Sequence, residues 1–327
     1  MLGPQPPKIN IGKLCLNEAV LYMFHQTRAY LSRKELPTGD RYDLPTSEMR
    51  FPDGAHYRIE VPTCNSAVTF RAIMETAEKH GVTINRVDDT FGIMRHTDES
   101  ILEYASIAKQ YGCEINFSIG PRATYDTSTQ RAAGTAEAGR IGYRLRGMEQ
   151  VIRAVEDAKR AIELGIRGIL LYDEGFLWLM NEMRKDGEIP KDVRFKFSAH
   201  CGHGNPVAFK VLEQLGADTI NPARDLTLPM IASLRQAVKV PIDIHIDNPK
   251  STGGMIRTYE APEIARIAAP VHLKTGNSAL TSHGIPTSQN EGVNMGIQAV
   301  LTVRMVRKYF PEGIQSKNGI KDLAIPK

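Results

Sequence analysis

Residues 194–222 read RFKFSAHCGHGNPVAFKVLEQLGADTINP. Arg194–His200 alternates polar and apolar side chains, the period of a strand. A glycine-bearing turn follows, then Pro206–Leu215 carries a helical pattern. Gly216 closes it, in the place where a residue without a Cβ enters the left-handed conformation freely. Ala217–Pro222 then opens another strand. This strand–turn–helix unit is the key to the chain, because it recurs eight times.

The other strand patterns are Tyr57–Pro62, Thr83–Thr90, Cys113–Arg122, Arg167–Asp173, Pro241–Asp247 and Pro270–Thr275. Helical patterns lie at Val68–His80, Ile101–Tyr111, Met148–Leu164, Phe176–Lys185, Leu228–Val238, Ala261–Ala268 and Gly292–Tyr309. Gly81, Gly112, Gly165 and Gly187 punctuate them as Gly216 does. Strands alternating with helices imply crossovers and a parallel sheet. Eight such units over roughly 250 residues predict a (β/α)8 TIM barrel. An open doubly wound sheet is the alternative, and the regular count favours closure. The expected layout is an N-terminal extension, 1–56, a barrel, 57–310, and a C-terminal tail, 311–327.

Two stretches depart from the repeat. In the extension, Asn17–Leu31 reads as a helix, and the polar remainder, with Pro37, Pro45 and Pro52, as a cap or subunit contact. Residues 123–147 form a long insert after the third strand, and loops of that length commonly serve a site. Its arginines, Arg131, Arg140, Arg144 and Arg146, are placed to close on an anion. A surface excursion or subunit contact is the equal alternative.

The 327 residues are 42% hydrophobic and 24% charged, an ordinary balance for a soluble globular protein. A net formal charge of +4, scattered along the chain, gives no nucleic-acid footprint. No apolar run reaches the roughly 20 residues of a membrane span. Met1–Lys13 lacks an apolar signal core, so a cytoplasmic location is expected. The cysteines Cys15, Cys64, Cys113 and Cys201 form no CxxC pair and read as reduced thiols.

Several strands are too polar for a parallel sheet covered on both faces. Asp243, His245 and Asp247 share one face of the seventh, and Lys196, Ser198 and His200 one face of the fifth. Glu114, Asn116 and Ser118 share a face of the third, His272 and Lys274 of the eighth, and Arg58 and Glu60 of the first. The helix-facing side must be apolar, so these sets are expected to fill the barrel centre. Buried charges are costly unless paired. Those near strand starts are expected to form structural ion pairs, such as Lys196 with Glu60 or Asp243. Those at strand ends are expected to be functional.

The strand ends offer three chemistries. His245 and Asp247, with His200 and Glu174, present imidazole and carboxylate ligands for a divalent metal: zinc, manganese, iron or cobalt. Lys274, or Lys196, offers a Schiff-base nucleophile if burial lowers its pKa. Cys64 or Cys201 beside His200 offers a thiolate. Anion recognition is expected from Arg86, Arg122 and Arg224, and from Asn248, Gly253 and Gly254 in the loop after the seventh strand.

The segments GADTINPARDLTLPMIASLRQAVKVPID, 216–243, and GGMIRTYEAPEIARIAAPVHLK, 253–274, resemble the collagenase-like peptidases of unknown catalytic type, family number thirty-two. The resemblance covers about the last third of the barrel. It implies the barrel fold and peptide hydrolysis, and it carries over no catalytic residue. A barrel mouth suits a metabolite better than an extended protein. The reading that follows is an enzyme of lyase or hydrolase type, assisted by a divalent metal, acting on a small anionic metabolite. Asp88 or Asp89 serves as base, Lys274 stabilises an oxyanion, and His200 belongs to the catalytic set. A Schiff-base lyase using Lys274 and a non-catalytic binding or assembly subunit are the alternatives. Barrels commonly associate, so a homo-oligomer is expected.

Overall fold

The computed structural model describes residues 23–120, 142–281 and 284–327. Eight parallel strands close into a barrel: β1 Tyr57–Val61, β2 Arg86–Asp89, β3 Glu114–Ser118, β4 Gly168–Leu171, β5 Arg194–Phe197, β6 Thr219–Ile220, β7 Ile242–His245 and β8 Val271–Lys274. Each pairs with its chain neighbours. The ring closes where Tyr57 to Glu60 of β1 lie opposite Val271 to Lys274 of β8. The ladders are shorter than the alternating patterns, because pairing stops where polar residues turn into loops. Ala217–Pro222 pairs only through Thr219–Ile220.

A helix follows each strand: α1 Ala67–Lys79, α2 Asp98–Tyr111, α3 Gly147–Glu163, α4 Glu174–Asp186, α5 Pro206–Leu215, α6 Leu228–Ala237, α7 Ala261–Ile267 and α8 Gln289–Tyr309. Helices α2, α4 and α8 begin ahead of their apolar periodicity. Thr97, Asp173 and Ser288 cap them, and the added first turn is polar. Ser288 and Glu291 form a reciprocal capping box. Within the predicted Asn17–Leu31 helix, only the described end can be placed; His25–Arg33 is helical.

Outward strand residues, among them Ile59, Val87, Phe117, Ile169, Phe195, Phe197, Ile242 and Leu273, are buried beneath the helices. Full burial of such a side chain is worth about 2 kcal/mol. The seam between α1 and α8 is unusually close. A Cβ on Gly292 would lie 2.7 Å from the Thr69 carbonyl oxygen, and one on Gly296 2.8 Å from Thr76 Cβ. These two glycines let the last helix settle against the first and complete the outer ring.

The end of the extension and the tail together close the N-terminal end of the barrel. Phe51 packs edge-on against His272 at 5.2 Å, under the Arg58 guanidinium at 3.9 Å. Arg58 donates to Ser316 Oγ (3.0 Å) and Asp322 Oδ2 (2.6 Å), and the Ala324 N–H donates to Glu114 Oε2 (3.1 Å). The opposite end carries the loops that follow the strands.

Candidate active site at the carboxyl ends of the strands

The polar strand faces point into the barrel centre, as alternation requires. Arg86 lies deepest in the network. Its Nε donates to Glu60 Oε2 (2.8 Å), and its terminal nitrogens reach Asp243 Oδ1 (2.5 Å) and Glu114 Oε1 (3.4 Å). Lys196 bridges Glu60 and Asp88, the latter at 2.6 Å. Lys274 lies 2.5 Å from Glu60 Oε1 and 3.1 Å from Asp88 Oδ2. Asn116 Nδ2 donates to Asp88 Oδ1 and Glu114 Oε1, both at 3.1 Å. Thr219 Oγ1 donates to Asp243 Oδ2 at 3.0 Å.

These surroundings divide the carboxylates. Burial raises the Glu60 pKa, but Arg86, Lys196 and Lys274 outweigh it and hold the group ionised. Burial, then the Glu60 charge, pushes Asp88 up against the pull of Lys196 and Lys274. Burial lowers Lys274, yet Glu60 and Asp88 more than reverse this and keep it an ammonium. Lys196 moves down, through burial and the Arg86 charge. Asp88 is therefore the carboxyl of this network poised to hold a proton.

At the carboxyl ends, Asp88, Asn221, His245 and Lys274 meet Thr63, His200, Arg224, Tyr172 and Asn277 around one mouth. Asn221 turns its amide oxygen to Lys274 Nζ (2.9 Å) and its nitrogen to the Asp243 carbonyl (2.9 Å). His245 Nε2 approaches the same amide end at 3.4 Å. Burial, then the Lys274 and Arg224 charges, holds the His245 pKa well below the usual imidazole value, so the ring is neutral. Arg224 Nη2 lies 3.2 Å from His200 Nε2, and among the described residues Arg224 has no carboxylate partner. Tyr143 stacks on His200 at 4.2 Å and 16°.

Among the described residues this mouth gathers buried polar atoms without hydrogen bonds: Thr63 Oγ1, Arg224 Nε, His245 Nδ1 and Asn277 Oδ1. Each such group costs about 1–3 kcal/mol when left unsatisfied. Thr63 adds strain, because its φ of 60° puts a β-branched residue in the left-handed region. Strained backbone and unpaired polar groups together are characteristic of a binding site.

The other predicted residues fall elsewhere. Asp89 points outward: Oδ1 accepts from the Gly92 N–H (2.9 Å), and Oδ2 lies 2.9 Å from His96 Nε2. It braces the β2–α2 loop and is no base for this mouth, since neighbouring strand residues face opposite sides. Arg86 is consumed by the lumen carboxylates and is not a substrate arginine. Gly253 and Gly254 form an exposed turn away from the mouth. Asn248 is buried with its Oδ1 unpaired, in a short antiparallel pair with Met255. Arg122, Arg131, Arg140 and Cys15 lie outside the described residues. Arg144, by contrast, clamps Glu174.

The proposed metal ligands do not converge. Asp247 accepts from the Gly276 N–H (2.8 Å), the Ser278 N–H (3.0 Å) and Ser278 Oγ, and so pins the loop after β8. Glu174 is held by Arg144 and lies 2.5 Å from His203 Nε2. His200 is stacked under Tyr143. Among the described residues no group of three or more His, Cys, Asp or Glu side chains is arranged to hold a metal ion. The predicted ligand set thus does not fit a divalent ion, and no step below is routed through one. Burial raises the thiol pKa of Cys64 and Cys201, and Cys201 Sγ donates to the Tyr172 carbonyl at 3.1 Å. At Cys201 burial outweighs the Arg144 charge, and at Cys64 the Asp89 charge adds to burial, so neither thiol is activated as a nucleophile.

Sequence reasoning missed Thr63 and Tyr172. Nothing in a threonine after a strand announces its dihedral angle, and Tyr172, which hydrogen-bonds Ser118 Oγ at 2.9 Å, reads simply as a strand aromatic. Larger cavities, of about 840 and 320 Å³, lie at the N-terminal end beside Arg194 and Asp322. Both residues are ion-paired there, Arg194 with Asp218 and Asp322 with Arg58. That end of a barrel serves stability rather than chemistry.

Among the described residues no helix is long and apolar enough to cross a membrane. No family model matches this chain, and no curated protein matches its sequence. Solved structures similar to it include the U32 peptidase Mk0906, at 14% identity over 63% of this chain and 74% of that one, with a TM-score of 0.40. Thiamine phosphate pyrophosphorylase from Pyrococcus furiosus is similar at 12% identity over 78% and 98%, TM-score 0.46. 2,3-Dimethylmalate lyase, a PEP mutase/isocitrate lyase superfamily member, is similar at 9% identity over 68% and 77%, TM-score 0.42. A peptidase of the family that residues 216–274 resemble is thus among them. None of these likenesses bears on the chemistry of the mouth. The strand order itself makes the chain a closed (β/α)8 barrel.

Proposed function

We propose that this protein is an enzyme that moves a proton on a small organic anion at the C-terminal mouth of the barrel. One observation carries the reading: Arg224, beside Lys274, faces the mouth without a carboxylate partner among the described residues. A guanidinium so placed is a receptor for a carboxylate or phosphate group. Asp88, its pKa raised by burial and by Glu60, takes or returns the proton. Lys274 donates hydrogen bonds to the oxyanion that forms as the proton leaves. Asn221 and Glu60 hold the ammonium in place.

The Schiff-base alternative is less well supported, because Lys274 is kept protonated by two carboxylates and a nucleophilic amine must be neutral. Free space at the mouth is about 20 Å³, room for roughly one water molecule. A substrate therefore displaces side chains at this mouth.

Calorimetric titration with a panel of small carboxylates and phosphate esters tests the proposal, with turnover followed by NMR. Arg224→Ala should weaken binding at least tenfold, about 1.4 kcal/mol. Asp88→Asn should bind normally and turn over at least a hundredfold more slowly. Equal binding by wild type and Arg224→Ala would remove the anion site from this mouth.

A further inference from the structure

The unpaired atoms at the mouth describe the molecule that would satisfy them, and this inference rests on reading the mouth as an anion site. The cations Arg224 and Lys274 call for an anionic group. The remaining atoms call for something else. Asn221 presents its amide oxygen to His245 Nε2, which places the ring proton there and leaves Nδ1 a bare acceptor. Asn277 Oδ1 is a second bare acceptor, on a residue 3% exposed. Thr63 Oγ1, on a fully buried residue, can accept or donate. A plain carboxylate or a fully ionised phosphate has no hydrogen to offer these atoms.

On a small organic anion the donors that can supply these hydrogens are chiefly hydroxyl and ammonium groups. An ammonium would enter beside Arg224 and Lys274. Among the described residues the one carboxyl lining the mouth, Asp88, already accepts from Lys196 (2.6 Å), Lys274 (3.1 Å) and Asn116 (3.1 Å). Hydroxyls bring hydrogens without charge. We infer that the ligand of this site is a hydroxylated carboxylate: its carboxylate on Arg224 and Lys274, and its hydroxyls donating to His245 Nδ1 and Asn277 Oδ1, with Thr63 alongside.

Calorimetry on the full chain with matched trios tests this: succinate, malate and aspartate; propionate, lactate and alanine. The hydroxy acid of at least one trio should bind tenfold or more tighter than its deoxy and amino partners. Asn277→Leu should erase that preference and leave the deoxy acid's affinity unchanged. Thr63→Val, which keeps shape and loses the hydroxyl, serves as the second variant should Asn277→Leu fail to fold by circular dichroism. Deoxy or amino acids binding as tightly as hydroxy acids would overturn the inference while leaving the anion site intact. No binding of any member at millimolar concentration would overturn the inference, and absence of binding by phosphate esters as well would overturn the anion site with it.

Discussion

Thr63 shows how much of a site is invisible in residue types. It follows β1, has a φ of 60° and is fully buried with its hydroxyl unpaired. Left-handed backbone in a β-branched residue costs on the order of 1–3 kcal/mol and is retained where the surroundings impose it. Thr63→Gly should therefore stabilise the protein by about 1 kcal/mol in urea denaturation while weakening the binding of small anions. Loss of stability on that substitution would show that the threonine is there for packing. Asp88 and Asp89 make a complementary case. The sequence offers them as equivalent bases, and strand alternation sends one to the lumen and the other to the helices. Parity alone could have separated them, once Arg86 was placed inward.

Elements were more legible than contacts. Period-2 alternation in β1, β3, β5, β7 and β8 correctly sorted lumen from core, because a helix-covered face tolerates few polar side chains. The cross-barrel pair of Lys196 with Glu60 was legible as an expected ion pair, but that of Lys196 with Asp88 was not, since that distance depends on closure. One consequence belongs to β8. Burial, then the Arg86 charge, lowers His272 to about 4, against an ordinary 6.5. Between those values the unfolded chain takes a proton that the fold refuses, so stability rises with pH across the window and is lost as pH falls from 6.5 towards 4. The full effect is about 3 kcal/mol. His245 adds to it with the same sign. Glu174 is different: burial raises it, but His203 and Arg144 bring it to about 2, so its contribution is lost only below the ordinary carboxylate value of 4.5. Urea midpoints should fall between pH 7 and pH 5, and His272→Gln should flatten that slope. An unchanged slope in the variant would assign the acid sensitivity elsewhere.

At the scale of the molecule, the repeat made the barrel readable and the site only partly so. The metal set was assembled from residues that share a rim. The structure spends Asp247 on backbone N–H groups and Glu174 on Arg144, because loop ends need partners before ligands do. What the lumen holds is a charge imbalance: Arg86, Lys196 and Lys274 against Glu60, Asp88, Glu114 and Asp243. Of these four carboxyls Asp88 is the one whose pKa is raised, by burial and then by the Glu60 charge, so it is the one best suited to take up a proton. The network is closed below by Phe51 and the tail, and Asp88 itself is fully buried. On the proposed reaction, a hydrogen that Asp88 takes from a bound molecule is thus kept apart from bulk solvent until it is handed back. The proposed proton transfer then predicts isotopic memory: deuterium placed on the reacting carbon should reappear in product formed in ordinary water, and complete wash-out would mean that the hydrogen leaves by another residue.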